Sequence, residues 1–266
     1  MMAILDITSP YVRRARLQPA LIVALPLGLA VISWSQNGFK ALAVLWSLFV
    51  WVGGTALMAQ IARDRGRRKE AELFQLWGGK PTTRLLRYVG TENAALVNRR
   101  HTLLQKALPD LVLPSAQTEA VDPKGADDVY ETCVRWLLEQ TRDKKKYGHL
   151  FDENCNYGFR RNLWGMKPLA LAIGLVSLGF GCAIIANHLY SHTQIMPVTW
   201  GAIAGIVALL AFWIGWCNSS WVKVAADAYA ERLLAASETL QTARKSPRKE
   251  SSKPRSARGK HLEQEK

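Results

Sequence analysis

The chain has 266 residues, 49% of them apolar, and 35 Lys and Arg against 21 Asp and Glu give it a formal net charge of +14. Its mean hydropathy of −0.03 is that of an ordinary soluble protein, but the average conceals a partition that excludes one. Apolar residues concentrate in uncharged blocks, and the charged residues fill the rest.

After a short basic N-terminus, 1–16, the first uncharged block is Leu17 to Trp34, and the second is Ala41 to Ala62. Two more follow, Pro168 to Asn187 and Pro197 to Cys217. Each is roughly 18–22 residues long, which at the helical rise matches a hydrocarbon core of about 30 Å. Uncharged runs of that length predict four transmembrane helices, paired as hairpins 17–62 and 168–217. Pro26 interrupts the first, a break that spanning helices tolerate when neighbours re-satisfy the freed carbonyl.

The positive charges predict the topology. Of the 35 Lys and Arg, only Lys40 lies in the loop Ser35 to Lys40, and none lies in His188 to Met196. Lysine and arginine bias toward the cytoplasmic face, so both termini and the central segment 63–167 are expected inside a bacterial inner membrane. Trp34, Trp164, Trp200, Trp216 and Trp221 fall near the predicted span ends, where aromatic anchors sit.

The second span continues as ARDRGRRKEAELFQLWGG, a helix with a basic cluster (Arg63, Arg65, Arg67, Arg68, Lys69) at its start and Gly78–Gly79 as its stop. Such a cluster favours anionic headgroups by about 1 kcal/mol per residue. Next come a turn-then-helix at Lys80 to Arg87, a helix over Glu92 to Leu108, and an irregular stretch from Asp110 to Val121. Asp122–Pro123 then starts a helix to about Arg142, with Asp as N-cap and Pro at its first position. No run alternates as a strand does, so a helical cytosolic domain is expected. The fold class predicted is all-α, an integral membrane protein with two transmembrane hairpins.

Residues 151–168, FDENCNYGFRRNLWGMKP, join that domain to the third span. Their mixture fits a juxtamembrane elbow, 151–167, whose acids pair with its arginines while Trp164 meets the interface. The surplus of amides and guanidiniums also fits an anionic ligand. That reading nominates Asn154, Asn156, Tyr157, Arg160, Arg161 and Asn162 as ligand-binding residues.

Beyond the fourth span, 218–242 reads as an amphipathic helix with a stripe of Val222, Tyr229, Leu233 and Leu240, suited to the cytosolic domain or a second copy. The tail 243–266 is basic, rich in Ser and Pro, and too polar to bury a core. It has no interleaved aromatic to stack on bases, so nucleic acid is not the expected partner.

The spans carry no ionisable residue, which counts against a coupled transporter. They carry small residues instead: Gly53, Gly54, Gly174, Ser177, Gly181, Gly201 and Gly205. Small-xxx-small spacing lets helix backbones approach, either within one bundle or between copies. The four cysteines are not closely spaced, which excludes a disulfide framework and a structural zinc site. GGKPTT at 78–83 lacks the first glycine of a P-loop and has Pro81 after its lysine, so no nucleotide motif is present. No catalytic residue, metal or cofactor is expected, and the chain reads as a non-enzyme.

ENCNYGFRRNLWGMKP, with GGKPTTRLLR, resembles segments of uncharacterised bacterial multi-pass membrane proteins that share a YGFRRNLxGxKP-like juxtamembrane stretch. The resemblance covers about a third of the central region. The layout is similar to that of membrane effectors in bacterial antiviral operons. It implies a homo-oligomer that senses a ligand or partner and disrupts the membrane or forms a pore. The alternative is a scaffold that recruits a soluble protein partner to the bilayer.

Overall fold

A computed structural model of the chain describes residues 9–36, 44, 45, 47, 48 and 53–245. Every element described is helical. In chain order they are α1 (Pro10–Val12), a π-helical turn (Arg13–Leu17), α2 (Gln18–Gln36), α3 (Gly54–Leu76), α4 (Pro81–Arg84) and α5 (Ala94–Ala107). These are followed by α6 (Ala116–Val121), α7 (Pro123–Gln140), α8 (Gly148–Tyr190), α9 (Pro197–Gly215) and α10 (Ser219–Lys245).

Among the described residues, three helices are long and apolar enough to cross a membrane: Pro10–Ser33, Gly148–Tyr190 and Pro197–Gly215. Only 39%, 22% and 28% of their most apolar stretches are buried inside the chain. Leu25, Ile32, Leu175, Phe180, Val207 and Ile214 are all exposed, as lipid-facing residues would be, and the three helices point to membrane association. The expected second span, Ala41 to Ala62, lies largely outside the described residues. Its last turns open α3 at Gly54.

The helix boundaries follow local chemistry. Side chains of Asn93, Ser115 and Asp122 accept from the backbone N–H groups of Leu96, Thr118 and Gly125 at 3.0, 3.2 and 2.9 Å, each satisfying an orphan donor of a first turn. α3 ends where Gly78 and Gly79 take φ of +75° and +130°, conformations that side chains resist. Where an irregular stretch was expected, the Ser115 cap nucleates the short α6. This helix places Glu119, only 2% exposed, beneath the α4–α5 connection. Its carboxylate accepts from the backbone N–H groups of Tyr88 and Val89 and from the Tyr130 hydroxyl.

Four apolar clusters stack along the molecule, the last of them Ala30, Val31, Ile206 and Leu210. Leu86, Leu104, Tyr130, Cys133, Leu137 and Leu233 join α4, α5, α7 and α10 into a polar-faced helical half. Leu73, Trp77, Tyr157, Val222 and Ala225 form the middle layer. Val23, Ala62, Leu163, Met166 and Trp213 begin the apolar half. The stripe of α10 therefore packs on its own chain. Val222 and Leu233 are fully buried, and Tyr229 and Leu240 pack against the same clusters.

One helix runs past all four layers. α8 has 43 residues, about 65 Å at 1.5 Å per residue, roughly twice the hydrocarbon thickness of a bilayer. The segment expected to be an elbow is an uninterrupted part of this rod, with Pro168 accommodated inside the helix.

Candidate functional site

The mixed segment of α8 meets the middle and second half of α3 and the π-helical turn. Tyr157 donates its hydroxyl hydrogen to Glu70 Oε1 at 2.7 Å, and Arg161 Nη1 donates to the same oxygen at 2.8 Å. Arg161 Nη2 also donates to Asn162 Oδ1 at 3.3 Å. Asn162 Nδ2 in turn donates to the Ala15 carbonyl at 2.6 Å. One carboxylate, one guanidinium, one phenol and one amide thus tie three chain segments together. Arg161 and Asn162 are buried, at 9% and 1% exposure, so the network works where water competes little.

Glycines permit this approach. A Cβ on Gly165 would lie 2.7 Å from the Gly66 nitrogen, and one on Gly66 would lie 2.2 Å from Asn162 Oδ1. The backbones of α3 and α8 cross there almost in contact. Gly158 does the same for the N-terminal helix, admitting Tyr11 and Ala15. The two glycines seven residues apart on α8 therefore serve two different neighbours.

Arg160 points elsewhere. Its Nη1 donates to the Trp221 carbonyl at 2.9 Å, and its guanidinium lies 4.8 Å from the centre of the Trp221 ring. Lys167 Nζ donates to the Cys217 carbonyl at 2.8 Å, a cation at the C-terminal end of α9 where the helix dipole favours it. Lys167 thus fastens α8 to the turn between α9 and α10, and Arg160 fastens it to the first turn of α10.

The nominated residues therefore separate into three groups. Tyr157, Arg161 and Asn162 come together in the network, and Arg160 joins the Trp221 contact. Asn154 lines a cavity on another side of α8, and Asn156 is half-buried between them. The acids of the segment do not pair with its own arginines. Asp152 pairs with Arg14 at 2.6 Å, and Arg161 takes its partner from α3. The residue that sequence reasoning missed is Glu70, whose one signal was its place as an acid straight after five clustered cations.

The small residues divide as well. Gly174 faces Leu210 and Gly181 faces Ile203, both on α9, while Gly205 faces Leu29 on α2. Ser177 is buried in the same α8 seam. Gly201 is exposed with open space around it. Gly53, with φ of +100°, is the N-cap of α3, and Gly54 is its first residue.

Two cavities flank the network. One, of about 230 Å³, is lined by Glu70, Lys80, Glu131, Arg135, Tyr157 and Tyr229 among others. Its charges are mutually compensated, with Lys80 on Glu131 at 2.6 Å. Tyr157 and Tyr229 stack with ring centres 6.2 Å apart and planes within 7°. Burial pushes the Tyr229 hydroxyl up to about 12, so it stays a neutral donor at physiological pH. The other cavity, of about 420 Å³, also reaches Tyr229 and contains Asn154. Burial pushes the nearby Cys133 thiol up to about 11, leaving it a packing group at neutral pH.

No protein-family model matches this chain, and neither the curated proteins nor the solved structures provide a match.

Proposed function

We propose that this chain is a non-enzymatic, multi-pass protein of a bacterial inner membrane, with both termini and its polar helical half in the cytosol. It assembles as a homo-oligomer. The cytosolic half receives a ligand or partner, and α8 carries that event into the bilayer as the trigger of a pore-forming or membrane-disrupting effector. The observation that carries this reading is the unbroken α8, clamped to α3 and to the N-terminal helix by Glu70, Tyr157, Arg161 and Asn162. A rigid rod pinned at its crossing point moves both of its ends together. The exposed Arg65, Arg67 and Arg68 beside the clamp suit anionic headgroups.

A scaffold that recruits a soluble partner is the second reading. It is favoured by the seam of Gly174, Ser177 and Gly181, which is filled by residues of the same chain and so not free for a second copy. Detergent-solubilised mass, with dye leakage from liposomes on the same sample, separates the two. A defined oligomer that leaks supports the effector, whereas a sealed monomer refutes it and leaves the scaffold. For the effector, Arg161→Ala should abolish leakage while membrane insertion is retained.

A further inference from the structure

The larger cavity, about 420 Å³, lies between the N-terminal helix, the end of α7 and the first turns of α8. That volume falls within the roughly 300–1,000 Å³ of small-ligand sites. Among the described residues its charge is one-sided, for Arg16, Arg142 and Lys144 line it and no described Asp or Glu does. Arg142 reaches Glu139 at 2.7 Å, an exposed pair that solvent screens and a ligand phosphate can outcompete. Arg16 and Lys144 form no ion pair among the described residues. They lie instead against rings, Arg16 at 5.6 Å from Tyr11 and Lys144 at 5.2 Å from Phe151.

A second feature is independent of charge. Tyr147 lines the cavity and is 8% exposed, yet its hydroxyl has no hydrogen-bond partner among the described residues. A buried polar atom left unpaired costs about 1–3 kcal/mol, and native structures retain few of them. Asn154 adds an amide to the same wall.

We propose that this cavity binds a phosphorylated ligand bearing a planar ring, that is, a nucleotide. Arg16, Arg142 and Lys144 take the phosphates through charge-assisted hydrogen bonds. The aromatic wall receives the ring, and the Tyr147 hydroxyl and Asn154 amide meet its polar edge. A bilayer phosphate is the other source of the same chemistry, and position argues against it. Arg16 borders the first apolar block, within the apolar helix Pro10–Ser33, so a headgroup can meet it. But Asn154 stands 14 residues before Pro168, about 21 Å along the helix axis, beyond the roughly 5–8 Å that headgroups reach past the hydrocarbon. The site deepens the sensing role proposed above and rests on it. Tyr229 lines the cavity and stacks on Tyr157, so an occupant touches a ring in contact with the clamp.

The test uses the full chain in phosphatidylcholine nanodiscs, with ATP, GTP, pyrophosphate and adenosine titrated by calorimetry. ATP or GTP should bind more tightly than pyrophosphate, and adenosine least. Lys144→Glu and Arg142→Glu, both at exposed positions, should each weaken nucleotide binding by about tenfold or more without moving the melting temperature of the unliganded protein. Failure of all three phosphate probes to bind overturns the proposal, as does nucleotide binding that neither variant alters. Loss of nucleotide binding when half the lipid is phosphatidylglycerol assigns the cavity to lipid and also overturns it. Leakage from liposomes given the same nucleotides is read separately. Binding without a leakage response would therefore sink only the sensing role, and leakage without binding only the nucleotide.

Discussion

Arg161 shows how a single residue can fix an architecture. A guanidinium at 9% exposure is tolerable only with its charge compensated, and the compensation comes from Glu70, whose oxygen also accepts from Tyr157. Removing the arginine leaves a half-buried carboxylate facing a phenol, and removing the glutamate leaves a buried cation, so either loss costs more than the pair contributes. Arg161→Ala should therefore destabilise the protein by about 2–4 kcal/mol. A double-mutant cycle with Glu70→Gln should return a coupling of at least about 1 kcal/mol, measured by denaturation in detergent with tryptophan fluorescence. A coupling near zero would show that the two side chains stabilise independently. The sequence makes Arg161, Tyr157 and Asn162 conspicuous, as polar groups too numerous for an anchor. It leaves Glu70 hidden, because its partner lies 91 positions away and no local spacing joins them.

Among the elements, α8 and its crossing with α3 decide the shape. Apolar block lengths and cap residues make most helices legible. Asp122 with Pro123 and the Gly78–Gly79 stop act where their chemistry predicts, whereas the helix expected from Glu92 begins at Ala94, capped by Asn93. The elbow was not legible as part of one continuous helix, because a mixed composition predicts a junction and says nothing of its conformation. Tertiary partners at Ala15, Glu70 and Trp221 hold it on three sides, and the helix continues through Pro168. The close crossing gives a test with an internal control. Gly165→Ala puts a methyl against the backbone of Arg65 and Gly66, where no side-chain rotation relieves it. It should cost about 1–3 kcal/mol. Gly201→Ala, exposed with open space around it, should be neutral or slightly stabilising, since alanine favours the helix by up to about 1 kcal/mol. Thermal melts of the two variants in detergent compare them directly. Equal effects would mean that the α3–α8 crossing is looser than its geometry implies.

At the scale of the whole molecule, four clusters are stacked on one helix. The partition of charge made the apolar and polar halves readable from sequence. The amphipathic stripe of α10 identified a buried face, though not that its own chain covers it. The 420 Å³ cavity was out of reach, because its lining comes from the N-terminal helix, α7, the turn after it, α8 and α10, and their convergence exists only in the fold. Hydrogen exchange of the nanodisc-embedded protein reads out whether α8 is a rigid connection held by the clamp. In the wild type, amides of 155–167 should exchange as slowly as those of the adjoining apolar stretch of α8. Arg161→Ala should accelerate exchange at 155–167, 63–72 and 11–18 while leaving 123–140 unchanged. Rapid wild-type exchange at 155–167, as fast as in the turn at 141–147, would contradict the account, and so would exchange indifferent to Arg161.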